Sequence, residues 1–179
     1  MSLKLMKITA VISYSMLFLS GRTLAEDIPI SITGEVYIPA CQVNGGETIE
    51  VKFGDISVTD VANPKNYQKI SVPITCDYPQ GTAYVKVTGT QLGANTNVLA
   101  TNVSNFGIAL YQGEGTSTKL TLGGGTIYGS VSIGYPITNG LSGKESGVFV
   151  FTAVPFKNGT GQLETKAFSA SASMSISYF

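Results

Sequence analysis

The sequence predicts an all-β fold, a sandwich of short strands. Apolar and polar residues alternate with a period of two through several segments, and turns rich in Gly and Asn separate these segments. No segment shows a convincing helical pattern. The 179 residues fit one domain, and a hydrophobic share of 43% is enough to bury a core.

Four segments alternate in the N-terminal half of the chain. They are residues 28–36, where Ile occupies every second position at first, and residues 49–53, 70–76 and 85–87. Such alternation is typical of strands with one buried face. The apolar members of these segments are Ile28, Ile30, Ile32, Val36, Ile49, Val51, Phe53, Ile70, Val72, Ile74, Cys76, Val85 and Val87.

Three further strands are predicted in the C-terminal half. Residues 106–111 form a short apolar run, and residues 148–154 form a longer run of β-branched and aromatic residues, as expected for a strand covered on both sides. The alternation is clearest in residues 168–178, where Ser occupies the other face. Residues 95–104 and 123–144 are interpreted as loops.

Residues 1–25 have the features of a cleaved secretory signal peptide. Lys4 and Lys7 precede an apolar run, and Ala25 supplies the small residue before the cleavage site. A membrane anchor is the alternative, but the run is too short for the ~20 apolar residues of a spanning helix. Cleavage would leave a weakly acidic, exported chain without Arg, so we expect neither membrane insertion nor nucleic-acid binding.

Composition disfavours most catalytic chemistry. The chain has no His, so a Ser-His-Asp triad is impossible and the commonest zinc ligand is missing. Its carboxylates are scattered along the sequence, as on an ordinary solvated surface. We therefore predict no catalytic residue, no cofactor and no metal site, and a secreted enzyme or inhibitor is the disfavoured alternative.

Cys41 and Cys76 are the two cysteines of the chain. In an oxidising compartment a lone pair most often forms one disulfide. A free thiol or a metal site is the alternative, although two Cys without His make a poor ligand set. We predict a structural disulfide.

Both ends of the mature chain are unusual, because an alternating apolar segment begins two residues after the predicted cleavage site and another runs to the last residue. Two interpretations are open. Either both segments are ordinary strands of a closed sandwich, or the sandwich lacks one strand and the N-terminal segment completes a neighbour by strand addition.

Longer tracts of the sequence resemble the subunits of chaperone–usher pili, and among them the minor tip adaptors of P pili. The resemblance extends over essentially the whole mature chain. The tracts that carry it are residues 34–41 (GEVYIPAC), 53–56 (FGDI), 98–102 (VLATN), 105–113 (NFGIALYQG), 154–159 (VPFKNG) and 172–175 (ASMS), with the Cys pair and Tyr178 as more general marks.

This resemblance implies an incomplete immunoglobulin-like sandwich that lacks its last strand and is completed by donor-strand exchange. Residues 26–36 would be the donor extension and residues 37–179 the pilin domain. The donor residues would be Ile28, Ile30, Ile32, Gly34 and Val36. The strand that lines the acceptor groove and binds the chaperone would contain Phe168, Ala170, Ala172, Met174, Ile176, Tyr178 and Phe179.

The resemblance also implies partners and a destination. A periplasmic pilus chaperone would lend a strand, an outer-membrane usher would host the exchange, and the neighbours would be an adhesin and a tip-fibre pilin. The chain would pass through the periplasm of a Gram-negative bacterium to the surface fimbrium. An adhesive pilin with a host carbohydrate site on its own surface is the alternative. Lys166 departs from the family, which usually has Gly at this position.

Overall fold

The computed structural model describes residues 27–138, 141 and 143–179. The chain divides into two units, Met1–Val36 and Tyr37–Phe179. The predicted signal peptide, residues 1–25, lies outside the described residues, as does Glu26. The described part of the first unit, residues 27–36, has no regular secondary structure.

The second unit is all-β in its described residues, with helical turns confined to two short 3₁₀ segments, Asn44–Gly46 and Pro64–Asn66. Eleven strands are present in this described part. They are β1 Gln42–Val43, β2 Gln68–Thr75, β3 Ala83–Gly89, β4 Gln91–Leu92, β5 Asn95–Ala100, β6 Phe106–Gln112, β7 Thr118–Lys119, β8 Thr126–Tyr128, β9 Val131–Pro136, β10 Ser146–Lys157 and β11 Ala172–Tyr178.

The strands form two antiparallel sheets that enclose one main core. The first sheet has the order β1-β2-β10-β6-β5-β4, with β7 also paired to β6. The second has the order β11-β3-β9-β8. Buried residues of both sheets meet between them, among them Ile74, Phe149, Val85 and Ile176. This arrangement confirms the predicted all-β sandwich.

The central strand of the first sheet is β10, the longest in the described part of the chain. Both of its edges are paired, to β2 and to β6. Phe149 and Phe151 contribute to the main core, while Val154 packs with Val98 and Ala109 in a second small cluster. The prediction of a strand covered on both faces is confirmed for residues 151–155, whereas Val148 is exposed.

The prediction of a loop over residues 95–104 was wrong for its first part, since Asn95–Ala100 forms β5. Asn97 is only 5% exposed, and its side-chain amide donates a hydrogen bond of 3.1 Å to the carbonyl of Leu110. A satisfied buried amide is compatible with a sheet interior. The polar sequence therefore concealed a strand whose polar side chain is paired inside the fold.

The second predicted loop, residues 123–144, contains the hairpin of β8 and β9. Gly134 interrupts the apolar pattern of β9, and it has a positive φ of 99°. A β-carbon there would collide with the backbone of Val85 on the neighbouring strand. Such a close approach of two backbones requires Gly. A strand that contains Gly lacks the run of β-branched residues by which strands are predicted, so this one was not predicted.

Residues 28–36 and 49–53 form no strand in the described structure, and the last strand is shorter than predicted. Residues 49–53 alternate as predicted, with Ile49, Val51 and Phe53 packed against the core, but they pair with no strand in the described structure. The last strand begins at Ala172 instead of residue 168. In both places the side chains alternate, but the backbone has no partner strand. Alternation in the sequence does not show whether a partner strand is present.

The predicted disulfide is confirmed, with an S–S distance of 2.08 Å between Cys41 and Cys76. Both cysteines are buried, and they are 35 residues apart in sequence. Besides this link, the amide of Cys41 donates a 2.8 Å hydrogen bond to the carbonyl of Ile176. The start of the second unit is therefore fixed to both β2 and β11.

Replacing both cysteines by Ser is expected to lower the free energy of unfolding by about 3–4 kcal/mol, because a loop of this length is no longer closed in the unfolded chain. Urea unfolding of the purified wild-type and double-variant chains, kept dilute to prevent aggregation and followed by tyrosine fluorescence, measures the difference. Wild-type chain treated with a reductant should lose the same amount. An unchanged urea midpoint would contradict a stabilising role for this disulfide.

Candidate functional site

An apolar cleft of about 340 Å³ opens between the two sheets. Its walls come from four parts of the second unit: the first sheet, the strands β3 and β11, residues 49–53, and residues 168–170. Representative lining residues are Leu110, Phe151, Val87, Met174, Val51 and Ala172. The cleft thus exposes side chains that belong to the main hydrophobic core.

One rim of the cleft is the free edge of β11. The strand pairs with β3 along its other edge, from Ala172 to Tyr178. On the free edge, Ile176 accepts a hydrogen bond from Cys41. Since backbone groups point to the same edge at every second residue, those of Ala172 and Met174 also point there, and they have no backbone partner within the described residues.

The facing rim is formed by residues 49–56, which follow the first 3₁₀ turn. Ile49, Val51 and Phe53 are half-buried against the core, while Glu50 and Lys52 are exposed and form a surface ion pair of 3.0 Å. No backbone hydrogen bond to these residues is present in the described structure. The cleft therefore lies between two segments whose backbone groups are free to bind an added strand.

Phe168 lies where the cleft meets a second cavity of about 630 Å³. Its ring packs between those of Phe53 and Phe106, with centroid distances of 5.9 Å and 4.8 Å. Asn102 fixes this segment: its side-chain oxygen accepts a 2.8 Å bond from the amide of Ser169, and its side-chain amide donates a 3.1 Å bond to the carbonyl of Ala167.

Lys166 lines the second cavity. Its amine is 2.6 Å from a carboxylate oxygen of Glu164, and both side chains are about half exposed. The charge stays at the surface while the stem contributes to the cavity wall, as is common for long basic side chains. The residue that departs from the family pattern thus borders the open region.

The chain terminus is firmly held. Tyr178 is completely buried, and its hydroxyl donates one bifurcated hydrogen bond, which the carbonyl of Leu141 and, at 3.1 Å, that of Lys144 accept. Phe179 pairs with Thr82 through two backbone bonds of 3.0 Å and 2.9 Å. Ile176 is also fully buried, so these last inward-facing side chains fill the core and do not line the cleft.

The N-terminal segment presents unprotected apolar side chains. Ile28, Ile30 and Ile32 are 81%, 84% and 90% exposed, and Val36 is exposed as well. Burying a side chain of this size stabilises by about 1.5–3 kcal/mol. The three Ile residues alone therefore make roughly 5–9 kcal/mol available to whatever covers them.

The described residues contain no group of three or more His, Cys, Asp or Glu that could hold a metal ion, and no helix long and apolar enough to cross a membrane.

One carboxyl group has a shifted pKa: hydrogen bonds from Lys65 and Asn63 lower the pKa of Asp60. These bonds order the loop before β2, and Asp60 does not line the cleft. The cleft is suited to binding an extended apolar chain.

Of the predicted groove residues, Phe168, Ala170, Ala172 and Met174 line the cleft. The opposite wall was not predicted. Its members include Ile49, Val51 and Phe53, whose alternation was visible in the sequence, and Leu99, which belongs to the strand taken for a loop. Asn102 was also missed as a side chain that fixes Phe168. No local pattern brings these distant residues together.

A comparison with known families shows that residues 30–179 match the model of the family described as fimbrial protein. Two curated relatives from Escherichia coli, the minor fimbrial protein PrsF and the fimbrial adapter PapF, are each 46% identical over 163 residues, which cover 90% of this chain and 94% of the relative.

Solved structures agree with this match. The P pilus adaptor subunit PapF superimposes with a TM-score of 0.57 and 40% identity, covering 81% of this chain and 100% of that structure. The P pilus rod subunit PapA, at 18% identity, shares the fold with a TM-score of 0.58, covering 78% of this chain and 99% of that structure. The incomplete immunoglobulin-like sandwich is thus confirmed. The chain belongs to the fimbrial protein family and is a structural subunit of a cell-surface fimbria.

Proposed function

We propose that this chain is a minor fimbrial adaptor, which gives a strand to one neighbouring subunit and takes a strand from another. One observation carries the proposal. The same chain has an apolar cleft between two unpaired backbone segments and an exposed N-terminal segment with apolar side chains at every second position. These are the two complementary parts of strand addition.

The cleft is the acceptor in this proposal. An inserted strand hydrogen-bonds with the free edge of β11, using the backbone groups of Ala172 and Met174. Its alternate side chains enter the cleft between Val51 and Leu110. Backbone pairing supplies affinity, and the spacing of side chains fixes the register.

The N-terminal segment is the donor. In an extended conformation Ile28, Ile30 and Ile32 point to one side, and Ser31 and Thr33 point to the other. The Ile side chains fill the groove of the receiving subunit, and Gly34 and Val36 continue the same register. Residues 26–36 then form the donor extension, residues 37–179 the pilin domain, and residues 1–25 the signal peptide removed on export.

A pilus chaperone and an outer-membrane usher complete the proposed cycle. The open cleft supports a chaperone, because free strand edges and exposed core side chains promote aggregation unless a partner covers them. The usher then brings in the strand of the next subunit. The adaptor position between adhesin and fibre is supported by one relative, PapF, which is named as an adaptor both as a sequence and as a solved structure.

Expression of the mature chain in a bacterial periplasm tests the proposal. With a cognate pilus chaperone we expect soluble protein in a one-to-one complex on gel filtration, and without it we expect aggregation or degradation, because the cleft stays uncovered. Periplasmic export of an unrelated disulfide-bonded protein is the control. A stable, soluble monomer without chaperone would show that the sandwich needs no added strand.

A further inference from the structure

An exposed aromatic surface lies at the end of the second sheet, around the chain terminus. It consists of Tyr128, Val131 and Phe179 with the half-buried Tyr84, and is called the terminal patch below. Tyr128 and Val131 are 69% and 60% exposed. The ring of Phe179 lies 6.0 Å from that of Tyr84 and 5.9 Å from that of Tyr128, so the aromatic side chains form one cluster.

The strand β8 makes the terminal patch an unprotected sheet edge. It is the last strand of the second sheet, and its three residues are all exposed. Tyr128 pairs directly with Val131 across the tight turn of the β8–β9 hairpin. Natural edge strands are commonly protected by charged residues or Pro, whereas this edge presents Ile and Tyr. Clustered exposed apolar side chains of this kind mark an interaction surface.

The tether of the N-terminal segment indicates what covers the terminal patch. The amide of Cys41 donates a hydrogen bond to the carbonyl of Ile176, three residues before the terminus. Four residues, Tyr37 to Ala40, separate Cys41 from Val36. Five residue steps span at most about 18 Å. A subunit that binds residues 28–36 is therefore held close to the end of β11, where Phe179 and the terminal patch lie.

A tethered partner also fits the modest size of the patch. A surface of four side chains is too small to bind a free protein stably, since specific interfaces bury about 800 Å² per partner. Linkage through a short tether raises the local concentration to the millimolar range. At such a local concentration the apolar contact forms even though it is too weak to hold two separate proteins together.

We propose that the terminal patch is a second contact surface for the pilin domain that receives residues 28–36 of this chain. The inference rests on the proposed function, because it takes the donor assignment as given. The contact adds an apolar docking surface to strand donation and restricts the rotation of one subunit relative to the other.

Photo-crosslinking in assembled fimbriae tests this contact. The full chain carries Tyr128→p-benzoylphenylalanine and is expressed with all components of its own fimbrial system. We expect irradiation of isolated fimbriae to link the chain to another fimbrial subunit. The matched control places the same group at Val148, which is 46% exposed on the first sheet and should give no such product. Val131 serves as a second test position in the hairpin.

The outcomes separate this inference from the proposed function. If the chain enters fimbriae and neither hairpin position forms a link to a subunit, the terminal patch is not a subunit contact. A link to the chaperone alone, found before assembly and absent from fimbriae, overturns it as well. Absence of the unsubstituted chain from fimbriae would instead contradict the proposed function.

Discussion

A chain carrying Ile30→Asp and Ile32→Asp is expected to lose strand donation while keeping its own fold. Both side chains are exposed in the described structure, so the substitutions disturb no packing within the chain. In the proposed complex they enter an apolar groove. Loss of apolar burial costs about 3–6 kcal/mol for the pair, and placing carboxylates in that groove costs more.

The measurement compares two properties of the same variant. The yield of the chaperone complex should equal that of wild type, and incorporation into fimbriae should fall by on the order of a thousandfold or more, the equivalent of about 4 kcal/mol. The matched control is Ser31→Asp with Thr33→Asp, which adds the same charges to the opposite side of the segment. Normal incorporation of the Ile variant would contradict the donor assignment.

Removal of Tyr178 and Phe179 is expected to abolish accumulation of the folded chain even when chaperone is present. The deletion removes a fully buried aromatic side chain, its bifurcated hydroxyl bond to Leu141 and Lys144, and both backbone bonds to Thr82. Truncating a buried aromatic residue alone costs about 3–5 kcal/mol, a large share of the stability of one domain.

Two milder variants separate the causes of this loss. Tyr178→Phe keeps the buried ring and removes the hydroxyl, so it should cost about 1–3 kcal/mol for the carbonyls left unpaired. Phe179→Ala keeps the backbone pairing with Thr82 and should accumulate nearly as wild type. Periplasmic yield with chaperone, measured by immunoblot, ranks the variants. A normal yield of the deleted chain would show that the terminus is dispensable.

Much of the fold could be predicted from side-chain pattern. The alternation in β2 and β11 and the β-branched run in β10 identified strands, because burial on one or both faces dictates those patterns. The pattern failed where polar or glycine residues have a specific role inside the sheet. Asn97 in β5 is buried with its amide paired, and Gly134 in β9 avoids a collision with Val85.

The candidate site was half visible in the sequence. Residues 168–174 and the Ile residues near the N-terminus were predicted as site residues, because both belong to local alternating segments near the chain ends. The opposite wall of the cleft was not recognised. Val51, Leu99 and Phe151 are far apart along the chain, and only the fold brings them to one surface. The absence of a backbone partner for residues 49–53 is likewise a property of the assembled sheets.

The link between Cys41 and Cys76 has a mechanical consequence for a fibre under tension. A pulling force that reaches this chain through residues 28–36 enters the sandwich at Cys41. The disulfide passes the force directly to the end of β2, so the peptide between the two cysteines carries little of it. From there it acts in shear along the antiparallel pairing of β2 with β10, from Thr75 with Ser146 to Gln68 with Ala153. In shear, many backbone hydrogen bonds share the load at once. The disulfide therefore transfers a force that would peel away the rim of the cleft to the pairing of β2 with the central strand β10, which resists it.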